Sequence, residues 1–411
     1  MSKVLGIVAE FNPFHNGHLY HLTESKKQTR CDCSVAVMNG NFTQRGAPSL
    51  IDKWSKAQMA LASGFDRVVE LPTIYGISSS ENFADGGVKI LDSLGIVDIL
   101  SFGTESGVLD ELLTFANLFL EEPENYVALL KEALSAGNSF PKAREKAACT
   151  YLSDEKYDGI LSTPNNILGI EYLKALKKLN SSITPFTIKR ILSDYSSLEI
   201  NSSFASSTAI RNLVNLNEFN KIKEVMPESA YAVLSSCLQN QNYVQSLSAY
   251  EKIILYKLRT MSLEEIRNLP DVSEGLEITL KTAAENCNNL SVLLDKCKSK
   301  RFTLTRIQRI LLYALLGITK EDMEISKRIL PYVRVLGMNS KGKELLSEIC
   351  KQKPDLPVIT SVKDFEKKNE NPQLQRLLDI DKMATDIYAL GYGNDVSYSN
   401  LDYTKKIIIT S

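Results

Sequence analysis

Val4-Leu5-Gly6-Ile7-Val8-Ala9-Glu10-Phe11-Asn12-Pro13-Phe14-His15-Asn16-Gly17-His18 is the stretch whose reading decides the fold. Val4–Ala9 is a short apolar run of strand length, and residues 17–28 follow with helical spacing, joined by a turn that holds proline, asparagine and glycine. The same alternation continues outward. Strand-like runs at 34–38, 67–71, 97–102 and 185–191 alternate with helical periodicity at 53–63, 80–94 and 165–179; more helix lies between 102 and 152, and another begins at Ser206. Strands separated by helices of ten or more residues predict a parallel sheet with crossover helices. Residues 1–211 are therefore expected to form an α/β domain with a Rossmann-like, doubly wound parallel sheet. Beyond Arg211 strand runs all but vanish, and amphipathic periodicity takes over at 253–258, 276–284, 307–316, 345–350 and 374–390. Residues 212–411 read as a mostly α-helical C-terminal domain.

Composition bounds the function classes. A chain of 411 residues is long enough for two or three domains, and 44% hydrophobic with 24% charged residues is ordinary for a globular protein, so disorder and coiled-coil rods are excluded. Apolar runs such as 307–318 are too short or too interrupted for a membrane span. Lys3 is followed by a short strand-like run that reaches Glu10, which is not the pattern of a signal peptide, so a cytoplasmic protein is expected. Seven cysteines without a CxxC pair suit reduced thiols, and Cys31 with Cys33 lacks the second pair a zinc site needs, so no protein-held metal is expected. The net charge of −1 hides an asymmetry: residues 1–211 carry 20 Lys and Arg against 24 Asp and Glu, whereas 212–411 carry 28 against 25. The mildly basic second half admits a polyanionic partner or simply a solvated face.

All three histidines of the chain, His15, His18 and His21, fall within seven residues directly after the first strand. Loops at the carboxyl ends of strands form the ligand crevice of an α/β sheet. Gly17 opens the next helix, whose free N–H groups and dipole favour a phosphate. His15 and His18 are thus candidates to face that phosphate, with capping or core packing as the alternative; His21, further along the helix, reads as structural. Ser206-Ser207-Thr208-Ala209-Ile210-Arg211 opens a later helix with hydroxyls and a cation, able to receive further phosphates or to serve only as an N-cap. Lys53 and Arg45 are possible additional cations or ordinary surface residues. Lys296, Lys298, Lys300, Arg301, Arg306 and Arg309 crowd into one short stretch, a candidate set of nucleic-acid phosphate contacts or a solvated basic helix.

These residues carry a resemblance. The segment 11–18 resembles the HxGH element of the nucleotidylyltransferase superfamily, and 206–211 is similar to its SSTxIR element. Met38-Asn39-Gly40-Asn41-Phe42-Thr43-Gln44-Arg45-Gly46, Asp52-Lys53-Trp54, Glu70-Leu71-Pro72, Phe102-Gly103-Thr104-Glu105, Pro164-Asn165-Asn166-Ile167-Leu168-Gly169-Ile170-Glu171-Tyr172, the run 301–309 (Arg301-Phe302-Thr303-Leu304-Thr305-Arg306-Ile307-Gln308-Arg309) and Tyr332-Val333-Arg334-Val335-Leu336-Gly337 resemble the tRNA(Met) cytidine acetate ligase family over nearly the whole chain. The resemblance implies that ATP and acetate give acetyl-adenylate and pyrophosphate, and that the acetyl group passes to the wobble cytidine of elongator tRNA(Met), forming N4-acetylcytidine. It implies catalytic roles for His15, His18 and Lys53, and ATP contacts by the loop from Ile7 to Tyr20 (Ile7, Val8, Asn12, His15, Gly17 and His18 in particular), by Gly103, Asn166 and Arg190, and by Ser206, Ser207 and Thr208. Lys300, Arg301, Arg306 and Arg309 are the expected tRNA contacts, and Mg2+ is expected with the ATP phosphates. An adenylyltransferase for a small phosphorylated metabolite and a non-catalytic RNA-binding nucleotide sensor are the alternatives.

Overall fold

The computed structural model describes residues 2–190, 204–394 and 398–410. Five parallel strands come from the first half: β1 (Val4–Ala9), β2 (Cys33–Asn39), β3 (Arg67–Leu71), β4 (Ile99–Thr104) and β5 (Thr184–Lys189). The helix after β1 is α1 (Asn16–Thr29), and the helix after β2 is α2 (Lys53–Ala62). The expected strand 185–191 ends at Ile191, which lies outside the described residues.

The second half corrects one expectation. Besides its helices it contributes three strands, β6 (Val333–Met338), β7 (Val358–Ile359) and β8 (Ile408–Ile409), to the same sheet. The order is β5-β4-β1-β2-β3-β6-β7, with β8 on β6; β6 runs antiparallel to β3 and parallel to its other neighbours. Strand residues alternate between two cores, as the two-residue period of a strand requires. Val4 and Val8 of β1, with Val35 and Val37 of β2, join one apolar cluster; Leu5 and Ile7, with Ala36 and Met38, join the other. The first cluster continues into the second half through Ile254, Leu280, Ile310, Leu377 and Tyr388. The segments 1–211 and 212–411 therefore share one sheet, and the first cluster runs through both.

The topology places the crevice. From β1 the chain steps to β2 and β3 on one side, then crosses back to β4 on the other, so the strand order reverses between β1 and β4. In such sheets ligands collect at the carboxyl ends of the strands flanking that switch point.

Farther along the sheet, beyond β3, β6 carries a charge into the core. Arg334 on β6 bonds Asp402 and lies 3.2 Å from Glu70 of β3. Lys53, the first residue of α2, lies 2.9 Å from Glu70 and 2.8 Å from Asp402. All four side chains are buried. Burial alone would raise the Asp402 carboxyl, but Lys53 and Arg334 outweigh it and hold it down at about 2. Nearby Asp381 accepts the Tyr332 hydroxyl and the Thr73 N–H, and burial followed by the Glu70 charge pushes it up to about 6.

Removing one member of a buried charge set leaves its partners desolvated and unpaired, which costs about 3–5 kcal/mol. Lys53→Ala should therefore lower the unfolding free energy by about that amount in urea titrations. Wild-type stability in this variant would show that the cluster does not hold the two halves together.

Candidate active site

A cavity of about 430 Å³ opens at the carboxyl ends of β1 and β4. Its wall is built from the β1–α1 turn, the loop 43–48, Phe102 and Gly103 at the end of β4, the helix Pro164–Lys178, Arg190, and the start of the helix Ser207–Asn215. Gln245, Ser246, Leu247 and Gln308 of the second half complete it.

His15 is the N-cap of α1. Its Nδ1 accepts the Gly17 N–H at 3.0 Å, and His18 Nδ1 accepts the His15 N–H at 3.2 Å, a reciprocal box that satisfies two of the helix's free donors. The rings stack with centroids 3.8 Å apart. Gly17 is required because a Cβ there would sit 2.8 Å from His15 Cε1. Since both Nδ1 atoms accept, each ring carries its proton on Nε2 and donates from that nitrogen. Burial, then the Arg190 charge, drives His15 down to about 3 and His21 to about 4; burial, then its neighbour His15, puts His18 well below its ordinary value. All three rings are thus neutral at physiological pH, and His15 and His18 are donors from Nε2. His21 lines the cavity as well, with Nε2 2.9 Å from Ser101 Oγ.

The second expected phosphate element meets the first. Ser206 caps its helix by accepting the Ala209 N–H, the Ser207 hydroxyl donates to the Pro13 carbonyl, and Arg211 donates to the Asn12 carbonyl at 2.7 Å and to Thr208 Oγ1 at 3.1 Å. Segments almost two hundred residues apart therefore form one wall. Ile7, Val8, Asn12, His15, His18, Gly103, Arg190, Ser206, Ser207 and Thr208 all line the cavity, joined by Arg45 and Arg211. Neutral imidazole N–H groups, hydroxyls and three guanidinium groups converge on one volume, an arrangement suited to a polyphosphate.

Several expected residues stand elsewhere. Lys53 does not line the cavity; its ammonium is bound to Glu70 and Asp402, which corrects its catalytic assignment. Gly17 also lies outside the lining and acts by making room for the His15 ring. The Asn166 side chain is buried and committed: its Oδ1 accepts from Glu105 and Ser106 N–H and its Nδ2 donates to the Ile160 carbonyl, while Pro164 and Asn165 face the cavity instead. Arg306 donates to the Asp271 carbonyl and Ser273 Oγ, and Arg309 pairs with the Asp271 carboxylate at 3.0 Å. With a side chain only 14% exposed, Arg309 fastens its helix rather than reaching outward. Arg301 is exposed and paired with Glu274, and Lys300 is exposed.

Gln44, Tyr172, Gln245, Ser246 and Gln308 line the cavity without having been singled out, and so does Glu10, which falls within the loop 7–20 expected to contact ATP but was given no role of its own. Gln44, Tyr172 and Gln308 lay within segments already quoted, but no spacing rule distinguishes them from their neighbours. The helix Leu304–Leu316 reaches the site by backing the loop 43–48: Gly46 sits at φ +75°, and a Cβ there would fall 2.5 Å from the Arg309 nitrogen. Lys56, also missed, is buried under the cavity floor and donates to the Asn39 and Gly40 carbonyls at 2.9 and 2.6 Å; burial pushes its ammonium down to about 7.

Comparison with known proteins agrees with this geometry. A family model described as HIGH Nucleotidyl Transferase matches residues 2–402. A tRNA(Met) cytidine acetate ligase of Thermoanaerobacter sp. (strain X514) is 46% identical over 407 residues, covering 98% of this chain and 99% of the relative. One from Acetivibrio thermocellus is 42% identical over 415 residues, covering 99% of this chain and all of the relative. The crystal structure of Thermotoga maritima TmcAL bound with alpha-thio ATP superposes with a TM-score of 0.91 at 34% identity, over 99% of each chain. The chain belongs to the HIGH nucleotidyl transferase family and, within it, to the tRNA(Met) cytidine acetate ligases.

Proposed function

We propose that the protein is an ATP-dependent acetate ligase that forms acetyl-adenylate and transfers the acetyl group to the wobble cytidine of elongator tRNA(Met), giving N4-acetylcytidine. The observation that carries this is the meeting of the His15–His18 box with the Ser206–Arg211 turn in one cavity at the switch point of the sheet, in a chain that matches ligases of that name from end to end.

Acetate is already ionised near neutral pH, so the first step needs no base. It needs alignment of the carboxylate with the α-phosphate and stabilisation of the charge that develops on pyrophosphate. Nε2–H of His15 and His18 donates to the phosphate oxygens, while Ser206, Ser207, Thr208 and Arg211 receive the leaving pyrophosphate. Gly103 and Arg190, at the ends of β4 and β5, flank the nucleoside; the Arg190 side chain lies over Gly103, with Cγ 3.2 Å from where a Cβ would be. Glu10 is the one carboxylate in the described lining, so Mg2+ would be held chiefly by the phosphates and water, where it neutralises charge on the triphosphate.

Residues 1–211 carry the adenylate chemistry and 212–411 the larger part of tRNA binding, in the cytoplasm. Lys300 and Arg301 are exposed and remain the proposed phosphate contacts, whereas the Asp271 bonds of Arg306 and Arg309 give those two a supporting role. No helix among the described residues is long and apolar enough to cross a membrane.

Purified protein should exchange labelled pyrophosphate into ATP only when acetate is present, and elongator tRNA(Met) incubated with ATP and acetate should yield N4-acetylcytidine on nucleoside analysis. Exchange that requires a phosphorylated metabolite instead would transfer the function to an adenylyltransferase. His18→Ala should slow the exchange on the order of 10²-fold, the typical effect of deleting one transition-state donor. The lowered histidine values also set a pH response. Because His15 and His21 stay neutral in the fold down to about 3 and 4 and His18 is held well below its ordinary value, the exchange rate should show no histidine inflection near pH 6.5. The unfolded chain does take up these protons below about 6.5, so stability should be full above that pH and fall as pH drops toward 4, by about 1.4 kcal/mol per pH unit for each histidine. Urea titrations at pH 7 and pH 5 measure that slope, and a flat response would mean the rings are protonated in the folded protein.

A further inference from the structure

Acetyl transfer has a requirement that the first step lacks. The exocyclic amine of cytidine shares its lone pair with the ring and attacks a carbonyl well only if a proton is withdrawn as the new bond forms. A base must therefore stand in the cavity.

The lining narrows the choice. Arg45, Arg190 and Arg211 have no lone pair to offer. His15 and His18 commit Nδ1 to backbone N–H groups and carry the proton on the other nitrogen, and His21 Nε2 is bonded to Ser101. Tyr172 is buried and its hydroxyl has no hydrogen-bond partner among the described residues; burial, then the charge of Glu10, raises it well above its ordinary value, so it stays protonated. Glu10 remains. It directly follows β1, just before the histidine turn, and is the only acidic residue of the described lining.

Its carboxylate is held but not consumed. Oε1 accepts the Gln44 N–H at 2.7 Å, and its own carbonyl accepts from Lys56 Nζ at 3.3 Å. Oε2 makes no hydrogen bond and no ion pair among the described residues, so one oxygen is open to the cavity. Gln44 ties Glu10 to the loop 43–48, and Glu10, the histidine turn, Gln245, Ser246 and Gln308 all line the one cavity in which acetyl-adenylate and the tRNA base must meet.

We propose that Glu10 is the general base of acetyl transfer, accepting the N4 proton of the wobble cytidine; this rests on the ligase function proposed above. The N4 lone pair forms a bond to the acetyl carbonyl carbon as the N4–H proton moves to Glu10 Oε2. The bond from that carbon to the phosphate oxygen breaks, and its electron pair leaves on AMP. Glu10 then releases the proton to solvent, so the balance is amine plus acetyl-adenylate giving amide, AMP and one proton.

The test uses the full chain with Glu10→Gln, which keeps the shape and the bond from Gln44. Three rates are compared with wild type: acetate-dependent pyrophosphate exchange, acetohydroxamate formation with hydroxylamine, which is nucleophilic without a base, and single-turnover acetylation at saturating elongator tRNA(Met). Exchange and hydroxamate formation should stay within about threefold of wild type, tRNA affinity should be unchanged, and acetylation should fall by 10² to 10⁴-fold, the usual range for a general base. Wild-type acetylation in E10Q would overturn the proposal. So would parallel loss of exchange and hydroxamate, which would assign Glu10 to adenylate formation, and so would weakened tRNA affinity with an unchanged saturated rate, which would make it a binding residue. Failure of the wild-type protein to show acetate-dependent exchange would instead sink the ligase function itself.

Discussion

The ammonium of Lys53 is fully buried, and a buried cation persists only where opposite charge is held within contact distance. Glu70 from β3 and Asp402 from the far end of the chain supply that charge, and Arg334 from β6 balances it. The second helix of the α/β unit, α2, its third strand and the last described segment are thereby locked to one point. Antiparallel pairing of β6 with β3 follows, and with it the docking of the second half onto the sheet. Tyrosine hydroxyls reinforce the same junction: Tyr388 donates to the Ser49 carbonyl at 2.9 Å and Tyr313 to the Ile77 carbonyl at 3.0 Å.

That docking builds the site. The loop 43–48 carries Gln44 and Arg45 into the cavity and is closed as a tight turn, the Thr43 N–H donating to the Ala47 carbonyl at 2.8 Å and the Gly46 N–H to the Thr43 carbonyl at 2.9 Å. Lys56 bonds its flanks, at the Gly40 carbonyl and Ser49 Oγ, and the helix Leu304–Leu316 packs behind it against Gly46. A ligand volume at the sheet's switch point is thus closed by residues from both halves, and the phosphate-facing groups form one continuous wall with the rim expected to meet tRNA. Neutral histidines suit this setting. With three guanidinium groups already converging, imidazolium rings would add repulsion in the empty cavity, whereas neutral Nε2–H donors keep their hydrogen bonds without it.

The first half was legible because its elements follow local rules. Val4–Ala9, the turn with Gly17, and Ser206 as an N-cap all depend on residues within a few positions of one another, and strand and helix bounds agree with the periodicity to within one or two residues through most of the α/β unit. The missed strand β6 shows where such rules stop. Val333 and Val335 have strand character, but Arg334 between them looks solvent-exposed until Glu70 and Asp402 are brought beside it. Lys53, Arg306 and Arg309 fail for the same reason: a cation in a sequence carries no mark of whether its partner is a phosphate or a carboxylate of the same chain.

By itself the sequence determined the doubly wound class of the first half, the clustering of all three histidines at the end of the first strand, and a full-length likeness to one ligase family. These follow from short-range periodicity and from motifs whose members are neighbours along the chain. The tertiary structure alone decided which charges face the cavity and which neutralise each other in the core, that the second half completes both sheet and site, and that Glu10 is the one carboxylate of the described lining. Those outcomes depend on contacts between residues tens to hundreds of positions apart, where burial and electrostatic pairing, rather than residue type, set what a side chain does.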